Sequence, residues 1–165
     1  MNMQIDKTAV STKKPAEIII TVTRFRDVLT SQASRTGRDS DYEMKMRRPH
    51  PGVYIKDDVV YVRPPGAIIR FTITSAAGDI EKYYPAGITF VREGKHRISH
   101  EHRLGRNNFL QRKIFMDGRS LTLTGSYKHG EQGVRFKFSV IIQRGSDGAI
   151  GIIDPGIESD NSDPH

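Results

Sequence analysis

The sequence predicts an all-β protein, folded as an antiparallel β-sandwich with Greek-key connections, about seven or eight strands and long basic loops. Two observations support this fold class. Short runs of β-branched and aromatic residues alternate with polar residues, and Gly, Pro, Asp and Ser separate one run from the next. No long segment repeats its apolar residues with the helical period of 3.6 residues.

Composition limits the classes of function. A chain of 165 residues suits one domain, and the absence of cysteine excludes disulfides, thiolate metal ligands and thiol catalysis. The formal net charge of +7 favours encounter with anionic partners such as nucleic acid. There is no apolar signal segment and no run near the roughly 18 apolar residues of a membrane span. We therefore expect a cytoplasmic protein without membrane association.

The chain is expected to have three parts: a flexible arm at residues 1–16, one β-sandwich domain at 17–155 and an acidic tail at 156–165. The domain opens with a strand at 17–25, because Ile18, Ile20 and Val22 alternate along one face of a β-branched run. Residues 26–51 are highly charged and poor in apolar side chains. They are predicted to form a long basic loop.

Further strands are predicted at residues 53–55, 59–62, 67–75, 87–91 and 149–153. The first two are joined by a polar turn at 56–58, Lys-Asp-Asp, which makes them a hairpin. In the strand at 67–75, Ile69, Phe71 and Ile73 alternate with polar residues. Alternation of this kind predicts a sheet with one buried face and one face in water.

The strongest hairpin signal lies in the stretch 113–143, which follows a basic connection at 92–112 that we expect to cross between sheets. The dipeptide Asp-Gly at 117–118 separates two apolar runs and suits the positive φ angles of a two-residue turn. Such a turn places Ile114 opposite Leu121. A long alternating strand completes the stretch, which is therefore predicted to be the centre of the sandwich.

A histidine cluster in the basic connection is a candidate metal site. Gly94 precedes His100 and His102, and this spacing resembles the opening of the first cupin motif. Residues two apart on a strand point to the same face, so both imidazoles would reach one metal, with His96 as a third ligand. The glutamate that the motif requires next is missing from residues 103–107. A metal-dependent enzyme at His96, His100 and His102 is one alternative function.

Two basic segments form a candidate nucleic-acid interface. The residues concerned are Arg35, Arg38, Lys45, Arg47, Arg48, Arg97, Arg103, Arg106, Arg112 and Lys113. Aromatic residues for base stacking are few in these segments, namely Tyr42 and Phe109. Nucleic-acid binding through these loops is the second alternative.

Catalytic motifs are absent from the sequence. There is no Gly-x-Ser-x-Gly elbow and no phosphate-binding Gly-x-x-x-x-Gly-Lys loop, and the acidic residues fall in turns and tails. No catalytic residue and no cofactor is predicted. The leading hypothesis is a non-enzymatic binding or assembly module that uses unpaired sheet edges to bind a protein partner or a second copy.

The C-terminal third resembles the DP-EP family of small bacterial proteins. The resemblance rests on residues 117–124 (Asp-Gly-Arg-Ser-Leu-Thr-Leu-Thr), a long alternating strand, and residues 154–158 (Asp-Pro-Gly-Ile-Glu). It covers residues 113–158 and implies a compact β-sandwich whose last strand runs into an Asp-Pro motif. The basic insertions at 26–51 and 92–112 depart from that plan. The family has no characterised function, so the resemblance implies a fold and no site.

Overall fold

A computed structural model describes residues 14–29, 39–63, 66–92, 109–114, 118–126, 135–154 and 156–159. For residues 89–92, 109–114, 124–126, 135–138 and 156–159 it describes the backbone alone. Within these ranges the chain forms eleven strands and no helix. They are β1 (Ala16–Arg24), β2 (Asp41–Met46), β3 (Val53–Lys56), β4 (Val59–Val62), β5 (Gly66–Ser75), β6 (Tyr83–Arg92), β7 (Phe109–Ile114), β8 (Ser120–Ser126), β9 (Arg135–Arg144), β10 (Ile150–Ile153) and β11 (Gly156–Ser159).

The strands form two sheets. The first sheet has the order β2-β1-β5-β8-β7. In the second sheet β6 lies on one side of β9, and β10 and β11 share the other side, followed by β4 and β3. The predicted all-β sandwich is confirmed. Most neighbouring strands are antiparallel, but β1 runs parallel to β5 and β4 runs parallel to β11.

The core lies between the two sheets and is built from alternate residues of each strand. On β1 and β5 the predicted inward residues Ile18, Ile20, Val22, Ile69, Phe71 and Ile73 are each at most 1% exposed. The second sheet contributes buried residues that include Val60, Val140 and Ile142. Each such side chain contributes about 1.5–3 kcal/mol by leaving water, so these strands are the main source of stability.

Strand β2 corrects the predicted loop at 26–51. It pairs antiparallel with β1, and Tyr42, Met44 and Met46 lie half-buried against the core. The residues between them are charged and exposed, so the strand has few apolar residues to reveal it. The last four residues of the predicted connection at 92–112 are also strand, because β7 begins at Phe109.

Strand β11 corrects the start of the predicted acidic tail at 156. Ile153 pairs with Val140 of β9 and Gly156 pairs with Lys137, so β10 and β11 keep one register along β9. Asp154, which follows β10, lies outside both strands. Together they are one strand with an interruption.

Two predicted hairpins are confirmed in their described parts. Ile114 pairs with Leu121 as expected, and Gly118 has a φ of 73°. Residues 115–117, the rest of that turn, lie outside the described residues. In the other hairpin Tyr54 pairs with Tyr61, and both turn residues, Asp57 and Asp58, have positive φ.

The connection at 93–108 joins β6 of the second sheet to β7 of the first, as predicted.

The connection between β1 and β2 docks on the second sheet. The Val28 amide donates to the carbonyl of Ile150 (2.9 Å), and the Ser40 amide donates to that of Ile152 (2.7 Å). Between these bonds the ring of Phe25 packs over Gly151, stacks on Tyr83 (5.4 Å between centroids) and is covered by Arg144. This corner covers the outer edge of β10 and ties the two sheets together.

Candidate anion-binding groove

A groove of about 460 Å³ lies where β1 begins and β2 ends, at one end of the first sheet. Its polar lining consists of Lys14, Glu17, Arg47, Arg48, His50 and Arg70. These residues come from three separate parts of the chain. The groove is therefore a product of sheet pairing and cannot be read from any single segment.

The pairing of β1 with its two neighbours brings the charges together around Glu17. On one side the Arg47 amide donates to the Glu17 carbonyl (2.9 Å), which extends the ladder between β1 and β2. On the other side Glu17 is the register partner of Arg70 in the parallel pair of β1 and β5. Both guanidinium groups consequently flank one carboxylate.

The ion pairs of Glu17 are long and partly exposed to solvent. The Nη1 atoms of Arg47 and Arg70 lie 3.6 Å and 3.5 Å from the two carboxylate oxygens. The Arg47 side chain is 58% exposed, so water and salt screen its pair and leave it worth little, about 0–1 kcal/mol. Lys14 and Arg48 are exposed as well. Four cationic side chains and one carboxylate therefore line the groove.

His50 forms part of the wall and holds it in place. Its Nδ1 accepts the Gly52 amide N–H (3.0 Å), so the ring proton of neutral His50 sits on Nε2. That Nε2–H donates to the Lys14 carbonyl (2.9 Å). The imidazole thus links the segment before β1 to the connection between β2 and β3, and keeps Lys14 at the groove.

A second cationic feature lies on the outer face of β3 and β4, and we call it the Tyr61–Tyr54–Arg63 stack. The two rings are 4.8 Å apart and within 10° of parallel, and the Arg63 guanidinium carbon lies 4.7 Å from the Tyr54 centroid. Arg63 also donates from Nη1 to the Pro51 carbonyl (3.4 Å) and from its amide to the Gly52 carbonyl (2.9 Å). Since His50 lines the groove, the Arg63 end of the stack lies beside the segment that enters it.

The Tyr61–Tyr54–Arg63 stack was not predicted from the sequence, because Tyr54 and Tyr61 lie outside the basic segments. The signal was available: Tyr54 and Tyr61 lie at equal distances from the turn at 57–58, which makes them direct partners across the hairpin. Tyr42, one of the two aromatic residues named above for base stacking, is half-buried against the core. Burial, together with the nearby carboxylates of Asp58, Asp154 and Asp39, raises the pKa of Tyr42 to about 12. Tyr42 is therefore poorly placed to stack on a base.

The predicted basic residues fall into three groups. Arg47 and Arg48 line the groove, and Lys45 is exposed on β2. Arg112 and Lys113 lie on β7, at the opposite edge of the first sheet from β2, which is roughly 19 Å away at about 4.8 Å a strand. The remaining residues, Arg35, Arg38, Arg97, Arg103 and Arg106, lie outside the described residues, as does the side chain of Phe109. The groove gains Lys14 and Arg70, which the sequence analysis did not name.

The candidate metal ligands His96, His100 and His102 lie outside the described residues, so the metal site stays a prediction. In the part of the chain that is described, no three His, Asp or Glu side chains are placed to share a metal ion. The same part contains no helix long and apolar enough to cross a membrane.

In comparisons with known proteins, no family model matches the chain and no curated protein resembles it significantly. The ligand of the groove is therefore inferred from the residues that line it.

Proposed function

We propose that this protein is a non-enzymatic binding module that holds the phosphate backbone of a nucleic acid in the groove. The observation that carries the proposal is that four cations, Lys14, Arg47, Arg48 and Arg70, line one groove in which Glu17 is the single carboxylate. These cations belong to separate segments, and the fold places them at one site. The net charge of +7 adds a long-range field that draws polyanions toward the protein.

The form of the groove favours an extended polyanion over a small anion. A site for one small anion surrounds it with buried donors, but Lys14, Arg47 and Arg48 are exposed. Exposed lysine and arginine side chains along a groove suit a chain of phosphates, because each contact releases condensed counterions from the nucleic acid. Cytoplasm, the compartment expected from the sequence, is rich in such ligands.

Two of the described sheet edges, β2 and β3, give little support to the assembly hypothesis. Along β2 the exposed residues Asp41, Glu43 and Lys45 are charged, and β3 is only four residues long. Charged and short edge strands are the features by which proteins discourage strand addition. Self-association or a protein partner is thus the weaker alternative, and a strictly monomeric mass by light scattering, with no co-purifying protein, would remove it.

The test of the proposal is a salt titration of oligonucleotide binding. With a fluorescently labelled single strand, anisotropy should report binding at low salt that weakens linearly in log K against log[salt]. The double variant Arg47→Ala/Arg48→Ala should bind roughly tenfold more weakly and lower the salt slope by about 1–2, because two phosphate contacts are lost.

The matched control is Lys82→Ala, which removes an exposed cation just before β6, at the other edge of the second sheet from β3. It should leave the affinity and the slope nearly unchanged. Absence of binding at low salt would contradict the proposal, and so would an equal loss in the control. The metal-dependent alternative at the histidines is tested separately, since elemental analysis of untagged protein without a stoichiometric metal would end it.

A further inference from the structure

We propose that the Tyr61–Tyr54–Arg63 stack is a base-stacking platform, and that the groove and the stack together select single-stranded nucleic acid. This inference rests on the proposed function and adds the class of nucleic acid to it. The groove supplies charge for the phosphates, which every nucleic acid has. The stack supplies a flat surface, which only an unpaired base can use.

The stack is a built surface and not a chance contact of mobile side chains. Tyr54 and Tyr61 are direct register partners in the β3–β4 hairpin, which fixes their backbones opposite each other. Strand β4 is held on its other side by β11. Sheet hydrogen bonds therefore hold the backbones of the two nearly parallel rings, and the Arg63 guanidinium lies over one of them. A surface ordered before binding costs little entropy when a ligand stacks on it.

The guanidinium end of the stack suits a nucleotide in two ways. Arginine planes stack on nucleobases as aromatic rings do, and their charge favours the adjoining phosphate. The guanidinium carbon of Arg63 already lies over the Tyr54 ring, 4.7 Å from its centroid. A base that stacks at this end extends the existing row by one more plane.

The stack and the groove are connected by a short chain of hydrogen bonds. Arg63 bonds to the carbonyls of Pro51 and Gly52, the Gly52 amide bonds to His50, and His50 lines the groove. Residues 50–52 therefore lie between the groove and Arg63, and a strand that crosses them can place phosphates among the groove cations and a base on Arg63. A duplex cannot do this, since its bases are stacked on each other and their faces are covered.

The experiment compares three ligands of equal length with the full chain: an ordinary single strand, the same strand with abasic sites, and a duplex. The abasic strand keeps the phosphates and lacks the bases. The ordinary strand should bind roughly tenfold more tightly than the abasic strand, which is the usual contribution of stacking for about one base. A 2-aminopurine base in the ordinary strand should lose fluorescence on binding, because stacking quenches it.

Two arginine-to-lysine variants separate stacking from charge. Arg63→Lys keeps the positive charge and removes the planar guanidinium group. The ratio of the affinity for the ordinary strand to that for the abasic strand should therefore fall to near 1, with the affinity for the abasic strand unchanged. Arg47→Lys is the matched control in the groove, and it should keep the preference. Comparison of thermal unfolding for both variants checks that each is folded.

Three outcomes would overturn the inference. Equal binding of ordinary and abasic strands would show that bases make no contact, and it would leave the proposed function standing. A preference that survives in Arg63→Lys would place the stacking surface elsewhere. Failure of every strand to bind at low salt, or equal competition by polyglutamate of the same charge, would overturn both the inference and the proposed function.

Discussion

At the scale of single residues, Tyr42 is the side chain whose surroundings most change its chemistry. Burial and the carboxylates of Asp58, Asp154 and Asp39 raise its pKa from 10.0 to about 12. A group whose pKa is higher in the folded state contributes stability that is complete below the unfolded pKa and lost as pH rises through the folded value. We therefore expect stability to fall between about pH 10 and 12 as the phenol is forced to ionise.

Spectrophotometric titration of phenolate absorbance measures this directly. The wild-type protein should show one tyrosine that ionises near pH 12, or at the pH of alkaline unfolding if that comes first. In Tyr42→Phe this ionisation near pH 12 should disappear, and alkaline unfolding should move to higher pH. Tyr83→Phe is the companion variant, since burial and Asp79 raise the pKa of Tyr83 too. An ionisation near pH 12 that is unchanged in Tyr42→Phe would contradict the expectation.

At the scale of elements, the β3–β4 hairpin contains a strained turn. Asp57 and Asp58 have φ angles of 50° and 58°, a region that costs an L-residue about 1–2 kcal/mol. Glycine adopts this conformation freely, and Asp-Gly is the preferred pair for the turn. Asp58→Gly should therefore raise the free energy of unfolding by about 0.5–1 kcal/mol, measured by urea denaturation.

The control for the turn is Asp58→Ala, which removes the same carboxylate and keeps the Cβ atom. It should be less stable than wild type, because alanine has neither the freedom of glycine nor the local hydrogen bonding of aspartate. If the glycine and alanine variants were equally stable, backbone strain would not be the cause.

The elements also show what the sequence could predict. Hydrophobic alternation predicted β1 and β5, because the alternate residues that face the core in both strands are buried and apolar. It failed for β2, where methionines and one tyrosine replace β-branched residues, and for β11, which is short and depends on distant partners. Of the residues that line the groove, Arg47 and Arg48 were named from the sequence as basic loop residues. Arg70 joins them through the parallel pairing of β1 and β5, which local sequence does not encode.

At the scale of the whole molecule, the two sheets are joined at the corner where Phe25 packs on Gly151. A Cβ atom at Gly151 would lie 2.7 Å from the Phe25 ring and 3.0 Å from the Ser40 hydroxyl. Gly151→Ala should therefore force the connection away from β10 and destabilise the protein by roughly 1–3 kcal/mol, measured by thermal and urea unfolding.

Gly87→Ala is the matched control, because its added Cβ would make only an ordinary contact of 3.8 Å with Ile141. The double variant Phe25→Leu/Gly151→Ala should lose less than the sum of the two single variants, since the smaller side chain relieves the clash. Strict additivity would mean that Phe25 and Gly151 do not interact as described.

The position of β11 has a consequence for how the protein is made. The β3–β4 hairpin, which forms early in synthesis, joins the rest of the second sheet through β11, the last of the described strands along the chain. A ribosome-bound chain that stops short of Gly156 would have Tyr54 and Tyr61 on a hairpin without that neighbour, and isolated two-stranded hairpins are marginally stable. Under the inference above, base stacking on the hairpin would mature only after translation has passed β11.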